Sequence, residues 1–362
     1  MSERAGIPRE SREHAPALPL WSDGEVPEAP AAPWASAWRE GSADSADSPP
    51  EKQREARART AERRARLVDA GVAEFGRWLR DQVAHGLASA ERAPRSLWDE
   101  ASRRLVDAQA KALADRVRPL AAVPRRGEHW PSRLLEEYGL LHLLVRAYQR
   151  QDSLPAGLRA TVRTRVGFTT SREEVLAAPR VRDAWYVSGV HESEQDGLQT
   201  RRTWLRGLSG RRPALLLAYG VPSRPLDPPD LRPGTAVDAS LAFYPDAPPL
   251  RAAVAERHAP PEPAEPPGTT VMELLDEYAA AVSHDPWLDR WPADLSSVRP
   301  ARSGGLHLVD PSGDALPLDT HDPWRLLAVS GGAPLTVSGE WTPSGLRPLS
   351  AWHPTEGLVT FP

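Results

Sequence analysis

The sequence contains no cysteine. This absence excludes disulfide bonds, thiolate nucleophiles, iron–sulfur clusters and every zinc site with cysteine ligands. Lysine is almost absent as well, since Lys52 and Lys111 are the only two in the chain. Neither lies in a glycine-rich loop, so Schiff-base chemistry and Walker-type phosphate binding have no lysine in the required place. The basic residues are almost all arginine, which we attribute to a GC-rich genome.

The chain also lacks long apolar stretches and a strong net charge. Its longest apolar runs, such as Ala214–Tyr219, are too short to span a bilayer. The first residues contain no apolar core of a secretory signal, so we expect a cytoplasmic protein without membrane association. The formal net charge is -4, which gives no global basic field of the kind that nucleic-acid-binding proteins use.

The clearest periodic pattern predicts an amphipathic helix over residues 130–150. Its apolar positions recur at spacings of three and four residues: Leu134, Leu135, Tyr138, Leu141, Leu144, Val145 and Tyr148. Similar patterns predict helices from Pro50 to about Gly86, from Ser96 to about Val117 with Ser96 as N-cap, and over Pro155–Val166. The buried side of the first of these helices is predicted to carry Leu67, Val72, Phe75, Leu79 and Val83. Several helices with short connections predict an antiparallel bundle or layer.

After about Val181 the pattern changes to short strands separated by turns. Strands are predicted in DAWYVSGVHE, LQTRRTWLRGL, PALLLAYG and AVDASLAFYP, with Asp196-Gly197 as a hairpin turn. One helix follows a proline-rich linker at about 259–268, and Thr269 or Thr270 with Glu273 is expected to cap it. The remainder predicts strands in LHLVDPSG, WRLLAVSGG, PLTVSGEWT, RPLSAWHP and LVTFP, with Ser330-Gly331-Gly332 as a hairpin turn.

These patterns predict an α+β fold, in which an N-terminal helical bundle or layer precedes an antiparallel strand-rich region with one inserted helix. We expect a largely disordered, proline-, alanine- and serine-rich segment over residues 1–50, a helical domain over 51–170, and a β-rich α+β domain over 181–362. Trp21, Trp34 and Trp38 interrupt the first segment. We expect that stretch to dock on the folded body, with a partner protein as the alternative.

The sequence contains no G-x-S-x-G, H-E-x-x-H, G-x-G-x-x-G or P-loop motif. A small internal repeat, His284-Asp285-Pro286-Trp287 and His321-Asp322-Pro323-Trp324, suggests a metal or acid–base site. We favour the alternative of an Asp-Pro turn followed by a tryptophan in the core, because no third ligand is spaced to join the two pairs. We therefore expect no catalytic residue, no metal site and no cofactor.

A candidate interaction surface combines three arginines on a helix over residues 52–66 with two arginines and a tryptophan on one strand: Arg57, Arg63, Arg64, Arg201, Arg202 and Trp204. An aromatic ring among arginines is typical of nucleic-acid binding, in which cations contact phosphates and rings stack on bases. The alternatives are a solvated helix start for the basic run and core packing for Trp204.

Six stretches carry a family resemblance: SLWDEASRRLVDAQAKALADRVRPL, WPSRLLEEYGLLHLL, TRRTWLRGL, ALLLAYG, DPWLDRWP and PWRLLAVSGG. In this order they resemble the region that follows the zinc motif in actinobacterial SWIM zinc finger family proteins, and the similarity covers roughly residues 17–362. In that family a C-x-C-x(n)-C-x-H motif comes first and is associated with binding DNA or protein. The family is often encoded beside MoxR-type ATPases and von Willebrand A proteins, so the resemblance implies such partners and work in a chaperone-like assembly.

The zinc motif of that family is absent here. Its cysteines are missing, and His14, near the position of the motif's histidine, cannot hold zinc alone. Either the finger is lost or it lies upstream of this start, and no functional residue is carried over.

The leading hypothesis is therefore a non-enzymatic protein-interaction module, accessory to a system of MoxR-type ATPases and von Willebrand A proteins. One alternative is a nucleic-acid-binding protein that uses the basic helix over residues 52–66 and the strand with Arg201, Arg202, Trp204 and Arg206. The other is a hydrolase or transferase, which would need a deep pocket lined by His284 or His321.

Overall fold

The computed structural model describes residues 51–195, 197–221, 226, 230–320 and 322–361. The expectations for residues 1–50, including the three tryptophans and His14, lie outside the described residues, as do those for Asp196 and His321. The chain divides into two compact units, Met1–Thr60 and Ala61–Pro362. In the first unit, residues 51–60 are helical and carry an exposed ion pair between Arg59 and Glu55, with a nitrogen–oxygen distance of 3.5 Å.

Helices make up the described chain before the first strand. They are α1 (Glu51–Ala84), α2 (Ala88–Arg92), α3 (Ser96–Asp107), α4 (Lys111–Val117), α5 (Trp130–Gln149), α6 (Ala156–Val166) and α7 (Arg172–Leu176), with 3-10 segments at Arg118–Arg125 and Gln151–Ser153. One apolar core, with side chains such as Phe75, Trp98 and Leu144, holds the longer helices together. Full burial of such a side chain contributes about 1.5–3 kcal/mol, so this core stabilises the bundle.

Helix α5 buries the face that its periodicity predicts, with one exception. Six of the seven predicted positions are buried: Leu134, Tyr138, Leu141, Leu144, Val145 and Tyr148. Leu135 is 49% exposed, because it lies about 100° around the helix from Leu134.

In α1 the predicted face is wrong at both ends. Leu67 and Val83 are 39% and 46% exposed, and Val68 takes the core position instead. The buried set is Val68, Val72, Phe75 and Leu79, which keeps the helical spacing on a slightly rotated face.

The single helix expected between Ser96 and Val117 is two helices. Gln109 adopts a left-handed backbone with φ of 62°, which ends α3 and lets α4 leave in a new direction. Ser96 is the first helical residue and makes no cap, since Arg95 holds the N-cap position without a side-chain hydrogen bond.

The first sheet contains β1 (Arg180–Gln195), β2 (Leu198–Gly207), β3 (Pro213–Gly220), β4 (Thr235–Phe243), β5 (Arg251–Arg257) and β6 (Glu262–Pro263). Its order is β1-β2-β3-β5-β4-β6, and β1 also pairs with β4, so β1 to β5 close into a barrel. The β3–β5 pair is parallel and the other pairs are antiparallel. Strand β1 pairs with β4 through residues 180–186 and with β2 through residues 185–195, and its register with β2 shifts at a bulge between Val187 and Gly189.

The predicted hairpin between β1 and β2 forms, with Gln195 opposite Leu198. The barrel interior is apolar and includes Trp185, Leu205 and Leu241, each fully buried. Successive residues of a strand point to opposite faces, so the even-numbered residues of β2, beginning with Arg202, lie outside the barrel.

The second sheet contains β7 (Trp291–Arg302), β8 (Leu306–Val309), β9 (Ala315–Pro317), β10 (Leu335–Thr342), β11 (Gly345–His353) and β12 (Gly357–Thr360). Its order is β12-β11-β10-β7-β8-β9, and all its pairs are antiparallel. Strand β7 lies at the centre of this sheet and was not predicted from the sequence patterns.

The strand predicted in WRLLAVSGG is wrong, because residues 323–330 form helix α9 (Pro323–Ser330). The Asp322 carboxylate caps it by accepting a hydrogen bond of 3.2 Å from the Trp324 N–H. Gly331, with φ of 50°, ends it in the left-handed conformation. The stretch Ser330-Gly331-Gly332 is therefore a helix end and not a hairpin turn.

The inserted helix α8 (Val271–His284) begins as predicted, with Thr270 and Glu273 forming a complete capping box. The predicted fold class, α+β with helices first and antiparallel strands after, is confirmed. The proline-rich stretch at 259–268 is more than a linker, since β6 within it pairs with β4. The division into domains at 51–170 and 181–362 stays a prediction.

Candidate functional sites

The three arginines predicted on α1 as part of an interaction surface differ in their exposure and contacts. Arg57 and Arg63 are exposed. Arg64 instead donates a hydrogen bond of 2.8 Å from Nη2 to the Gly167 carbonyl, and its guanidinium lies 5.2 Å from the centre of the Phe168 ring. Arg64 therefore ties α1 to the segment after α6.

The predicted residues of β2 bind partners within the chain. Arg201 donates from Nε to Glu192 Oε1 at 2.7 Å and from Nη1 to the Leu226 carbonyl at 2.9 Å. Arg202 Nε and Trp204 Nε1 both donate to Glu340 Oε1, each at 2.9 Å. Of the six predicted residues, the structure brings Arg202 and Trp204 together at one carboxylate.

The expectation that Trp204 is part of an interaction surface is wrong. Its side chain is 1% exposed and packs in the apolar core of the second sheet, and its N–H is bound to Glu340. Core packing is therefore the correct interpretation of this tryptophan, since the ring has no free face on which a base could stack.

Buried charges link the barrel to the second sheet. Arg206 and Asp294 both have fully buried side chains, and Arg206 Nε donates to Asp294 Oδ2 at 2.8 Å. Ser338 Oγ donates to the other oxygen of Asp294 at 2.7 Å. Glu340, also fully buried, binds Arg290 Nη1 at 3.0 Å besides Arg202 and Trp204. Burial raises the pKa of Glu340, but the hydrogen bonds from Arg202 and Trp204 outweigh it and leave that pKa lowered.

Sequence analysis did not identify Glu340 and Asp294. The sequence nevertheless contained an indication of buried ion pairs. Arg202, Trp204 and Arg206 alternate along β2, which places two arginines on the same face of the strand as a tryptophan. Charges on a face that packs against another layer need buried partners of opposite sign. The sequence does not show which carboxylates come from the second sheet.

The two copies of the His-Asp-Pro-Trp repeat have different environments. Trp287 is 3% exposed, packs in the core of the helical bundle and donates from Nε1 to the Leu140 carbonyl at 2.8 Å. Trp324 is 73% exposed. The predicted turn followed by a core tryptophan is therefore correct for the first copy, and the core position is wrong for Trp324.

A cleft of about 710 Å³ lies where the helical bundle faces the barrel. Its bundle wall includes Arg116, Arg126 and Arg133, and its barrel wall includes Leu217 and Tyr219. We call it the arginine cleft, because seven arginines and five carboxylates line it. His284 is not among the lining residues; it is exposed, with Nδ1 2.9 Å from the Ala280 carbonyl oxygen.

Two ionisable groups in the arginine cleft have shifted pKa values. Burial, followed by the neighbouring Arg165 guanidinium, lowers the pKa of Arg116. Burial also raises the pKa of Asp246, although Thr164 Oγ1 donates a hydrogen bond of 3.0 Å to its carboxylate. Shifted groups lining a concave site are a physical indication of a binding site.

A second concavity, of about 390 Å³, lies between α1 and α3. We call it the helical groove. Apolar groups form its floor: Leu67, Ala70, Gly71, Phe75, Trp78, Leu97, Ala101, Leu105 and Ala108. Three carboxylates line it as well, those of Glu74, Glu100 and Asp107. Arg104 spans it, with Nη1 2.9 Å from Glu74 and Nη2 2.5 Å from Glu100.

Two further features concern the described part of the chain. Within it, no three His, Asp or Glu side chains come together in a set that could hold a metal ion. Among the described helices, none combines the length and the apolar content that a membrane span needs.

Comparison with known protein families gives a match to the helical bundle. A family model described as the SWIM-associated four-helix bundle domain matches residues 63–166, from within α1 to the last residue of α6. Neither a search of curated proteins nor a search of solved structures returned a match. Over these residues the resemblance to SWIM zinc finger family proteins is confirmed, since the chain carries the SWIM-associated four-helix bundle domain at residues 63–166.

Proposed function

We propose that this chain is a non-enzymatic protein-interaction module that docks an amphipathic helix of a partner protein in the helical groove. The observation that carries the proposal is the groove itself, an apolar floor between two helices of the SWIM-associated bundle. Helical partners insert apolar side chains at three- and four-residue spacings into grooves of this kind.

The charges around the groove define the chemistry of the occupant. Three carboxylates line the groove, those of Glu74, Glu100 and Asp107. The one cation among the lining residues is Arg104, so the rim of the groove is acidic. A partner helix with basic residues beside its apolar face complements that rim, which favours correct encounters and orientation. Leu67, 39% exposed, offers apolar surface at the same place.

The partner that we propose is a MoxR-type ATPase or a von Willebrand A protein, as the family resemblance implies. Nucleic-acid binding through α1 is less well supported, because Arg64 is engaged by Gly167 and Phe168, and Trp204 is buried. A hydrolase or transferase built on His284 is also less well supported, since that side chain does not line the arginine cleft.

The test is binding of the full chain to the purified MoxR-type ATPase and von Willebrand A protein from the same genome. Leu67→Asp places a charge on the groove floor, and Leu135→Asp is its matched control on α5. Both leucines are surface residues of helices, 39% and 49% exposed, so both changes have similar small costs in folding stability.

We expect one of the two proteins to bind the wild type and the Leu135→Asp variant equally. Loss of an apolar anchor typically costs more than 1 kcal/mol of binding energy, so Leu67→Asp is expected to weaken binding about tenfold or more. Absence of binding by both proteins, or equal binding by all three forms of the chain, contradicts the proposal.

A further inference from the structure

The strand order of the barrel matches that of a fold whose outer face binds ligands. Five strands close in the order β1-β2-β3-β5-β4-β1 with a parallel β3–β5 pair and a bulged β1 that pairs with two strands. This arrangement is the Greek-key barrel of OB-folds, whose strand 2–3 face and adjoining loops bind ligands.

The arginine cleft lies on that face. Thr200 and Arg202 of β2 and Leu215, Leu217 and Tyr219 of β3 line it from the outside of the barrel. The loop between β4 and β5 lines its edge through Asp246 and Pro248. At about 710 Å³, the cleft has the size of a small-molecule site and not of a groove for a long strand.

The bundle wall of the cleft carries cations without close anionic partners. Arg116 is half-buried, and its two terminal nitrogens each reach only the Trp287 carbonyl oxygen, at 3.4 Å. Among the described residues, no carboxylate lies within 4.0 Å of a nitrogen of Arg116, Arg126 or Arg133. Arg165, by contrast, is paired with Asp285, and Arg202 and Arg290 are paired with Glu340. The carboxylates of Asp289, Glu137 and Asp285 act on Arg116 only at longer range. A phosphate group at the bundle wall would give the three arginines an anion at hydrogen-bond distance.

The other lining groups match the rest of a nucleotide. Tyr219 is 54% exposed and lies beside apolar Leu217, so it offers a ring on which a planar base can stack. Carboxylates such as Glu137 and Asp289 also line the cleft and can accept hydrogen bonds from ribose hydroxyl or amino groups. These same carboxylates repel a continuous polyanion, which favours one nucleotide over a long single strand.

We infer that the arginine cleft binds a single nucleotide, with its phosphate at Arg116, Arg126 and Arg133 and its base at Tyr219. This site is separate from the helical groove, so the inference stands or falls independently of partner docking. It requires no chemical step and adds a ligand to an interaction module.

The experiment is calorimetric titration of the full chain with AMP, ADP, ATP and GMP, each to about 1 mM, the weak end of the range for specific ligands. Inorganic phosphate and an oligothymidine of about ten nucleotides, the length that one OB barrel covers, are titrated in parallel. The variants are Arg116→Gln, Arg133→Gln and Tyr219→Ala. The matched control is Arg182→Gln, an exposed arginine on β1 paired with Asp238 at 2.7 Å.

We expect at least one of the mononucleotides to bind, and each arginine variant to weaken that binding about tenfold, as for loss of one charge-assisted contact. Arg133 is exposed, so its variant keeps the test valid even where Arg116→Gln unfolds the chain. Tyr219→Ala is expected to weaken nucleotide binding, and Arg182→Gln is expected to leave it unchanged.

Several outcomes overturn the inference. They are no mononucleotide binding at the highest concentration, equal binding by Arg133→Gln and wild type, phosphate binding as tight as nucleotide binding, and binding of the oligothymidine alone.

Discussion

Two tryptophans with the same preceding sequence have opposite environments. Each follows His-Asp-Pro, and in both copies the aspartate carboxylate accepts a hydrogen bond from the tryptophan N–H, at 3.1 Å for Asp285 and 3.2 Å for Asp322. This local hydrogen bond is therefore shared, although the first copy forms a turn and the second begins α9. The two rings differ in their surroundings: Trp287 packs in the bundle core, and Trp324 is exposed to solvent.

This difference predicts that replacing tryptophan by alanine destabilises the protein unequally at the two positions. Trp287→Ala removes a ring that is 3% exposed and the hydrogen bond to Leu140, so we expect the free energy of unfolding to fall by about 3–5 kcal/mol. Trp324→Ala is its matched control and is expected to change that energy by less than about 0.5 kcal/mol. Urea unfolding of both variants gives the comparison. A loss on Trp324→Ala as large as on Trp287→Ala would contradict the assignment of the two environments.

At the scale of elements, two glycines set how closely α1 approaches its neighbours. A Cβ atom added to Gly71 would lie within van der Waals overlap of the Ala108 Cβ. One added to Gly76 would lie 2.9 Å from a methyl carbon of Val145 on α5. Side chains at these positions would push the helices apart. By contrast, Gly139 in α5 has no atom within 4 Å of the added Cβ.

Substitution by alanine is therefore expected to have opposite effects on the free energy of unfolding at Gly71 and at Gly139. Gly71→Ala is expected to lower the free energy of unfolding by about 1–3 kcal/mol, because the packed neighbours must shift. Gly139→Ala is expected to raise it by about 0.5–1 kcal/mol, since alanine costs less backbone entropy in an open helical position. Thermal unfolding monitored by circular dichroism distinguishes the two. Stabilisation by Gly71→Ala would show that α1 and the α3–α4 corner do not approach so closely.

Helix α9 shows where sequence patterns are ambiguous at this scale. WRLLAVS is a short apolar run, and such runs fit a buried strand or a helix equally well by periodicity. The termini carry the distinguishing signal, because Asp322 with Pro323 is a helix start and Gly331 is a helix end. Where the periodic pattern extends over more residues, as in α5 and α8, the element type was predicted correctly.

At the scale of the whole molecule, the barrel and the second sheet share buried charges. Glu340 of β10 binds Arg202 and Trp204 of β2, and Asp294 of β7 binds Arg206. Removing one member leaves its partner buried without a counter-charge, which typically costs about 3–5 kcal/mol.

This arrangement predicts a pH dependence of stability. The Glu340 carboxyl has an ordinary pKa of about 4.3 in the unfolded chain and a lowered pKa in the folded chain. The stability that this difference contributes is therefore present above about pH 4.3 and is lost as the pH falls through the folded pKa. We expect Glu340→Gln to be much less stable than wild type near pH 7, and the gap to narrow towards pH 3.

The measurement is urea unfolding of both proteins across that pH range, with Asp238→Asn as control. The lowered pKa of Asp238 comes from the exposed Arg182, and solvent screens that pair, so the control should differ little from wild type. A gap between Glu340→Gln and wild type that stays constant with pH would contradict the role given to Glu340.

The sequence by itself determined the fold class, the longer helices, the capping box of α8 and the absence of cysteine chemistry. Periodicity, caps and composition are local properties, and they are complete within one stretch of chain. Only the tertiary structure decided which tryptophan is buried, which carboxylates meet the arginines of β2, and that the bundle and the barrel enclose the arginine cleft. These depend on pairings between residues far apart in the sequence, such as Arg206 with Asp294, 88 positions apart, and Arg202 with Glu340, 138 positions apart. Local patterns do not encode such pairings.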